Sequence, residues 1–119
     1  MSVSTGYRTY IVDQLAALPA LSTRRMFGGL GLYSGELFFA LIDDDVLFFK
    51  VDDGNREDYV SRGMKAFVPI PNKPSLGYFQ VPEDVIEEPE ELTRWARRSV
   101  EVAQRAGARK AKKKTKQKK

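Results

Sequence analysis

Neither cysteine nor histidine occurs anywhere in the 119 residues. Their absence removes disulfides, thiolate and imidazole metal ligands, cysteine nucleophiles and every histidine-based acid–base scheme. What remains for catalysis is carboxylate, Lys, Tyr or Ser, which are also the ordinary residues of a solvated surface. Equally missing is any apolar run near the ~20 residues that a membrane-spanning helix needs. The stretch from Met1 to Leu18 has no basic n-region, no unbroken apolar segment and no small-residue cleavage site. No secretory signal is read there, and a cytoplasmic location is expected. The length suits one domain with one core.

The net charge of +4 conceals two opposite parts. Arg109, Lys110, Lys112, Lys113, Lys114, Lys116, Lys118 and Lys119 supply eight bases with no acid among them, while the 12 bases before them face 16 acids, a net of −4. A basic isoelectric point made by a tail says nothing about a basic face on the fold. The lysine run has no apolar residue larger than alanine, so residues 108–119 are expected to be disordered.

Tyr7, Tyr10, Ile11, Leu15 and Leu18 form one stripe of a 3.6-residue period, with Ser4 as N-cap and Pro19 as terminator. From Arg24 to Tyr33, bulky residues surround Gly28, Gly29 and Gly31, which predicts a strand broken by a bulge or tight bend. Ser34-Gly35 is a turn. Leu37–Ile42 and Val46–Val51 flank Asp43-Asp44-Asp45 as an antiparallel hairpin with an acidic turn. Both alternating sets of the first run are apolar, with Leu37, Phe39 and Leu41 on one face and Phe38, Ala40 and Ile42 on the other, so cover on both faces is expected. Lys50 marks the wetter side of the second run. Asn55 is expected to cap a short helix whose apolar contacts are Tyr59, Val60 and Met64, with Gly63 at its end. The prolines of Pro69–Pro74 read as a loop, and Gly77–Val81 as a strand closed by Pro82. A last helix starts at Pro89, repeats Leu92, Trp95, Ala96, Ser99, Val100 and Ala103, and ends at Gly107.

Gly28-Gly29-Leu30-Gly31 invites a phosphate-loop reading, but the full G-x-G-x-x-G and a following helix are missing, and a backbone bend explains it better. Gly28 or Gly29 is expected in a conformation closed to side-chain-bearing residues. Asp43, Asp44, Asp45, Asp52 and Asp53 fail the Ca²⁺-loop spacing and suit turns and caps. Glu83, Asp84, Glu87, Glu88, Glu90 and Glu91 are clustered before a helix and complement its positive end. No catalytic residue, cofactor or metal is therefore expected. The eight tail bases either neutralise phosphates without sequence preference or serve only as a solubilising tail. With no aromatic among them, they lack a stacking surface for bases. Tyr33, Phe38, Phe39, Phe48 and Phe49 are read as core rather than as a ligand pocket. A sheet with two apolar faces and three helices leaves little cover to spare, so a homodimer is a secondary expectation.

The blocks Arg24-Arg25-Met26-Phe27-Gly28-Gly29-Leu30-Gly31-Leu32-Tyr33, Phe39-Ala40-Leu41-Ile42, Leu47-Phe48-Phe49-Lys50-Val51, Gly77-Tyr78-Phe79-Gln80-Val81-Pro82 and Trp95-Ala96 occur in that order. Together they resemble the TfoX/Sxy N-terminal domain family. Arg25, Met26, Phe27, Gly28, Gly29, Tyr33, Tyr78, Pro82 and Trp95 are taken as its structural motif. The resemblance implies an α+β fold of the secretion-chaperone-like type, in which a curved antiparallel sheet is flanked by N-terminal, middle and C-terminal helices. It implies no known catalytic activity. Family members include activators of bacterial competence genes thought to act with the cyclic-AMP receptor protein. The two-domain regulators continue into a helix-hairpin-helix-like domain, where this sequence carries lysines.

The resulting expectation is a stand-alone domain over residues 1–107 followed by a tail. The domain would be non-enzymatic and bind a protein partner, with transcription or competence regulation as its setting and weak nucleic-acid affinity in the tail. Nonspecific nucleic-acid binding, mainly through the tail, is the alternative. Met26, Phe27, Phe39, Leu41, Phe49, Leu92 and Trp95 are expected in one core.

Overall fold

Tight turns organise the chain, and residues suited to a left-handed backbone sit in them. Asp44 and Asp45 take φ of 53° and 58°, Gly28 takes 78° and Gly35 takes 61°, values that cost little only for Gly, Asn and Asp. In the computed structural model, which describes residues 3–26 and 28–117 and side chains through residue 108, these turns join successive strands into one antiparallel sheet. The elements are α1 (Thr5–Gln14), β1 (Leu21–Met26), β2 (Gly29–Ser34), β3 (Leu37–Asp43), β4 (Val46–Lys50), α2 (Arg56–Val60), β5 (Ala66–Ile70), β6 (Lys73–Gln80), α3 (Glu83–Ile86) and α4 (Pro89–Gln117). The strand order is β1-β2-β3-β4-β6-β5, so the curved sheet is open and has two edges. The fold is α+β.

One face of the sheet carries the core. Leu30 and Leu32 of β2, Phe39, Ala40 and Ile42 of β3, Leu47 and Phe49 of β4 and Phe79 of β6 are buried against Ile11, Leu15, Val85, Ile86, Leu92 and Ala96 of the helical layer. Ser4 caps α1 as expected, its hydroxyl accepting from the Tyr7 amide at 3.1 Å. Tyr10, however, stays 37% exposed and off the buried stripe. Asn55 begins α2 without a side-chain cap; it is buried, accepting from the Asp52 amide and donating to the Lys50 carbonyl. Val60 points to solvent and Tyr59 alone buries the α2 face.

Several expectations are corrected. The broken strand is a hairpin, β1 and β2, with Gly28 in its turn. The proline-rich loop is a second hairpin, β5 and β6, closed by Pro71 and Asn72, the latter at φ 66°. Prolines are tolerated there because β5 is an edge strand, and β4 pairs with β6 only at residues 78–80, so Pro69 and Pro74 each have a side without a ladder partner. Val85 and Ile86 are buried by one extra turn, α3, which had no periodicity to betray it. The last helix continues through Gly107 to Gln117; one glycine costs about 1 kcal/mol against alanine, and the alanines and lysines around it are strong helix formers. The side chains of residues 109–117 and all of Lys118 and Lys119 lie outside the described residues, as does Phe27. No described helix is long and apolar enough to cross a membrane.

Candidate interaction face

Among the described residues, the opposite face of the sheet bears no helix. Its composition follows from one irregularity between β2 and β3, where Leu32 pairs with Ala40 but Tyr33 pairs with Phe38. The extra residue resets the alternation. Phe39 therefore joins Ala40 and Ile42 in the core, its ring 5.8 Å from that of Phe49, while Phe38 turns to the open side with Leu41. This corrects the simple two-face reading of β3, and it takes Leu41 out of the expected core.

Across β2, β3 and β6 the open face carries a row of rings, Tyr33 to Phe38 at 5.2 Å and Phe38 to Tyr78 at 5.8 Å between centroids. Further along, Phe48 of β4 meets Phe67 of β5 at 5.0 Å. None of these rings is fully buried. Two cations accompany them. The Arg24 guanidinium lies 5.1 Å from the Tyr33 ring centre, within cation–π range. The Lys50 ammonium donates to the Tyr78 hydroxyl at 3.1 Å. Half-burial pushes the Lys50 amine down from its ordinary value, and burial, then Tyr33, pushes the Tyr78 phenol up to about 12. Among the described residues neither cation takes part in an ion pair.

The motif residues are scattered over the fold. Tyr33 and Tyr78 are brought together through Phe38. Gly29 lies so close to β3 that a Cβ would stand 2.5 Å from the Ile42 carbonyl oxygen. Met26 fills the space over Gly31, whose missing Cβ would meet its methyl at 2.6 Å. Arg25 is exposed on the edge strand and lines a recess of about 380 Å³ with Arg8 and Gly28. Pro82 is buried at the start of α3. Trp95 is half-buried, edge-on to Tyr59 at 4.9 Å, beneath the Arg62 guanidinium at 5.3 Å, its indole N–H donating to Glu91. Arg24, Phe38, Leu41, Phe48, Lys50 and Phe67 are the members of the face absent from the motif. The polar Lys50 interrupting an apolar strand was the available signal.

Of the bases on α4, Arg94 pairs with Glu91, Arg98 with Asp58, and Arg105 grips Asp52 with two bonds of 3.0 Å. Arg98 also donates to the Gly54 carbonyl at 2.6 Å. These three arginines of α4 are thus neutralised locally. No group of three or more carboxylates that would hold a metal ion is found among the described residues.

A search of curated proteins returns no match. The model of the TfoX N-terminal domain matches residues 13–103, from the end of α1 to the middle of α4, and so takes in the whole sheet. The family is not one of known enzymes, and with most of its length matched the chain belongs to the TfoX N-terminal domain family.

Proposed function

We propose that the chain is a non-enzymatic, cytoplasmic regulatory domain that acts by binding a protein partner of the transcription machinery. Residues 1–107 do the binding, and the lysines from 108 onward are a separate appendage. The observation that carries this reading is the β5–β6 arm. Val68, Ile70 and Leu76 are 51%, 56% and 60% exposed there, and no charge occurs between Ala66 and Asn72. Large apolar side chains gathered on one projecting hairpin suit burial by another polypeptide. Membership of the TfoX family supports a regulatory setting, since its competence activators also work beside a partner protein.

The test compares three forms in capture from cell extract followed by rebinding of the purified partner: the wild type, a chain lacking residues 108–119, and Val68→Ser/Ile70→Ser/Leu76→Ser. The first two should retain one common partner and the arm variant should lose it. Retention by the arm variant, or by the full-length chain alone, would refute the arm.

A second reading is favoured by the course of α4. Its backbone carries the tail bases Arg109 to Lys116 beyond an acidic body, where they can neutralise phosphates without sequence preference.

A further inference from the structure

We propose that the helix-free face of the sheet is a stacking platform for single-stranded nucleic acid, with Tyr33, Phe38 and Tyr78 receiving bases and Arg24 and Lys50 receiving phosphates. The proposal goes beyond the partner-binding arm and uses a different surface.

Three observations converge on this occupant. The rings form a continuous row across the sheet, their centres 5.2 and 5.8 Å apart and their planes tilted by 35° and 43°, so neighbouring rings touch and present one partly exposed aromatic surface. Such a surface offers π contact to bases, and only a single strand exposes base faces to it. The cations are the second observation. Arg24 and Lys50 sit at the rings with no carboxylate partner among the described residues. An apolar protein surface laid over them would bury unpaired charge, whereas a strand that stacks its bases brings phosphates alongside. The third is where the chain goes. Ser99 of α4 bonds to the Lys50 carbonyl and Arg105 to Asp52, so the helix leaves the body past the sheet end that holds Phe38, Lys50 and Tyr78. Its last ten residues extend about 15 Å further and carry most of the tail's bases. Polycation and aromatic row thus lie at one end of the molecule.

The experiment is fluorescence anisotropy of the full chain with labelled oligothymidine and with a duplex of equal length. Tyr33→Leu/Phe38→Leu keeps the face apolar while removing two stacking rings. It should weaken oligothymidine binding by about ten-fold or more and leave duplex binding, a tail property, unchanged. Equal weakening on both, or on neither, overturns the proposal. Because that variant is informative only if folded, a second measurement uses the wild type: photo-crosslinking to iodouracil-substituted oligonucleotide should place adducts on Tyr33, Phe38 or Tyr78. Adducts confined to residues 108–119 overturn it. So does displacement of the oligonucleotide by a polyglutamate peptide at matched charge, which would mean an acidic protein segment as the occupant. A dimer in which Tyr33 and Tyr78 are protected from modification would mean a second copy covers the face, and the proposal falls.

Discussion

The Lys50 ammonium stands 3.1 Å from the Tyr78 hydroxyl oxygen but 4.9 Å from the centre of the same ring. It therefore sits beside the hydroxyl, held by a hydrogen bond rather than over the π face. The two groups titrate in opposite senses. A phenol raised above its ordinary 10.0 holds its proton longer in the folded chain, so its contribution to stability is complete below pH 10.0 and is lost as pH rises through about 12. A lysine lowered below 10.5 loses its proton earlier in the folded chain, so its burial penalty is relieved as pH rises towards that value. Tyr78→Phe should remove one late-ionising tyrosine from a near-ultraviolet absorbance titration and flatten the loss of stability above pH 10.0. Lys50→Met should leave neutral-pH stability equal or slightly raised. An unchanged late phase in Tyr78→Phe would refute the assignment.

The glycine hairpin gives a graded series in urea. Gly28→Ala, at φ 78°, should cost about 1–2 kcal/mol. Gly29→Ala drives a methyl against the Ile42 carbonyl, and because backbone must move the loss should reach about 2–3 kcal/mol. At Gly77 the nearest atom is a serine hydroxyl at 3.8 Å, so alanine there should stay within about 0.5 kcal/mol. A reversed order of the first two would mean that β3 yields more readily than the turn.

Phe49 and Trp95 separate the core from its margin. Phe49 is fully buried, and Phe49→Ala should cost about 3–5 kcal/mol. Trp95→Ala should cost less, about 2–3 kcal/mol, because the indole is only half covered and its main loss is the contact with Tyr59. Equal melting shifts for the two would place the indole in the centre of the core.

Ser99 is fully buried and donates to the Lys50 carbonyl at 2.8 Å. Ser99→Ala should cost about 1 kcal/mol, since Asn55 still reaches that carbonyl at 3.3 Å. Removing the exposed Arg105 by alanine should cost less than about 1 kcal/mol, vanishing at high salt. Chemical denaturation at two ionic strengths separates these cases.

Deleting residues 108–119 should leave the melting temperature unchanged and remove most duplex DNA affinity. In the full chain, log affinity should fall by about 0.9 for each phosphate neutralised as log salt rises. Undiminished binding by the truncated chain, measured by gel shift, would assign duplex recognition to the fold.

Where backbone chemistry is local, the sequence was readable. Ser4 caps α1, Asp44 and Asp45 make a hairpin turn, and Pro89 opens α4 because each residue suits its place without help from distant partners. The open face was not readable as a unit. Which ring β3 contributes to it depends on a pairing shift between Tyr33 and Phe38, which no alternation within β3 can announce. The β5–β6 hairpin was hidden for a related reason: Pro69 and Pro74 forbid a strand only where both sides need ladder bonds, and which sides do is settled by the order of the sheet. Gly107 misled because a helix terminator acts only if its neighbours do not favour continuing.

The shift in β3 also sets what evolution can do with that strand. Consecutive residues, Phe39 and Ala40, both serve the buried side of the sheet because the strand is one residue longer than its partner requires. A lineage that lost Phe39 would restore regular alternation, keep Phe38 on the open side and withdraw the ring that meets Phe49 in the interior. Substitutions on the open side can therefore accumulate freely as far as folding is concerned, whereas a single-codon deletion is felt in the interior. Related chains should be constant in length from Leu37 to Asp43.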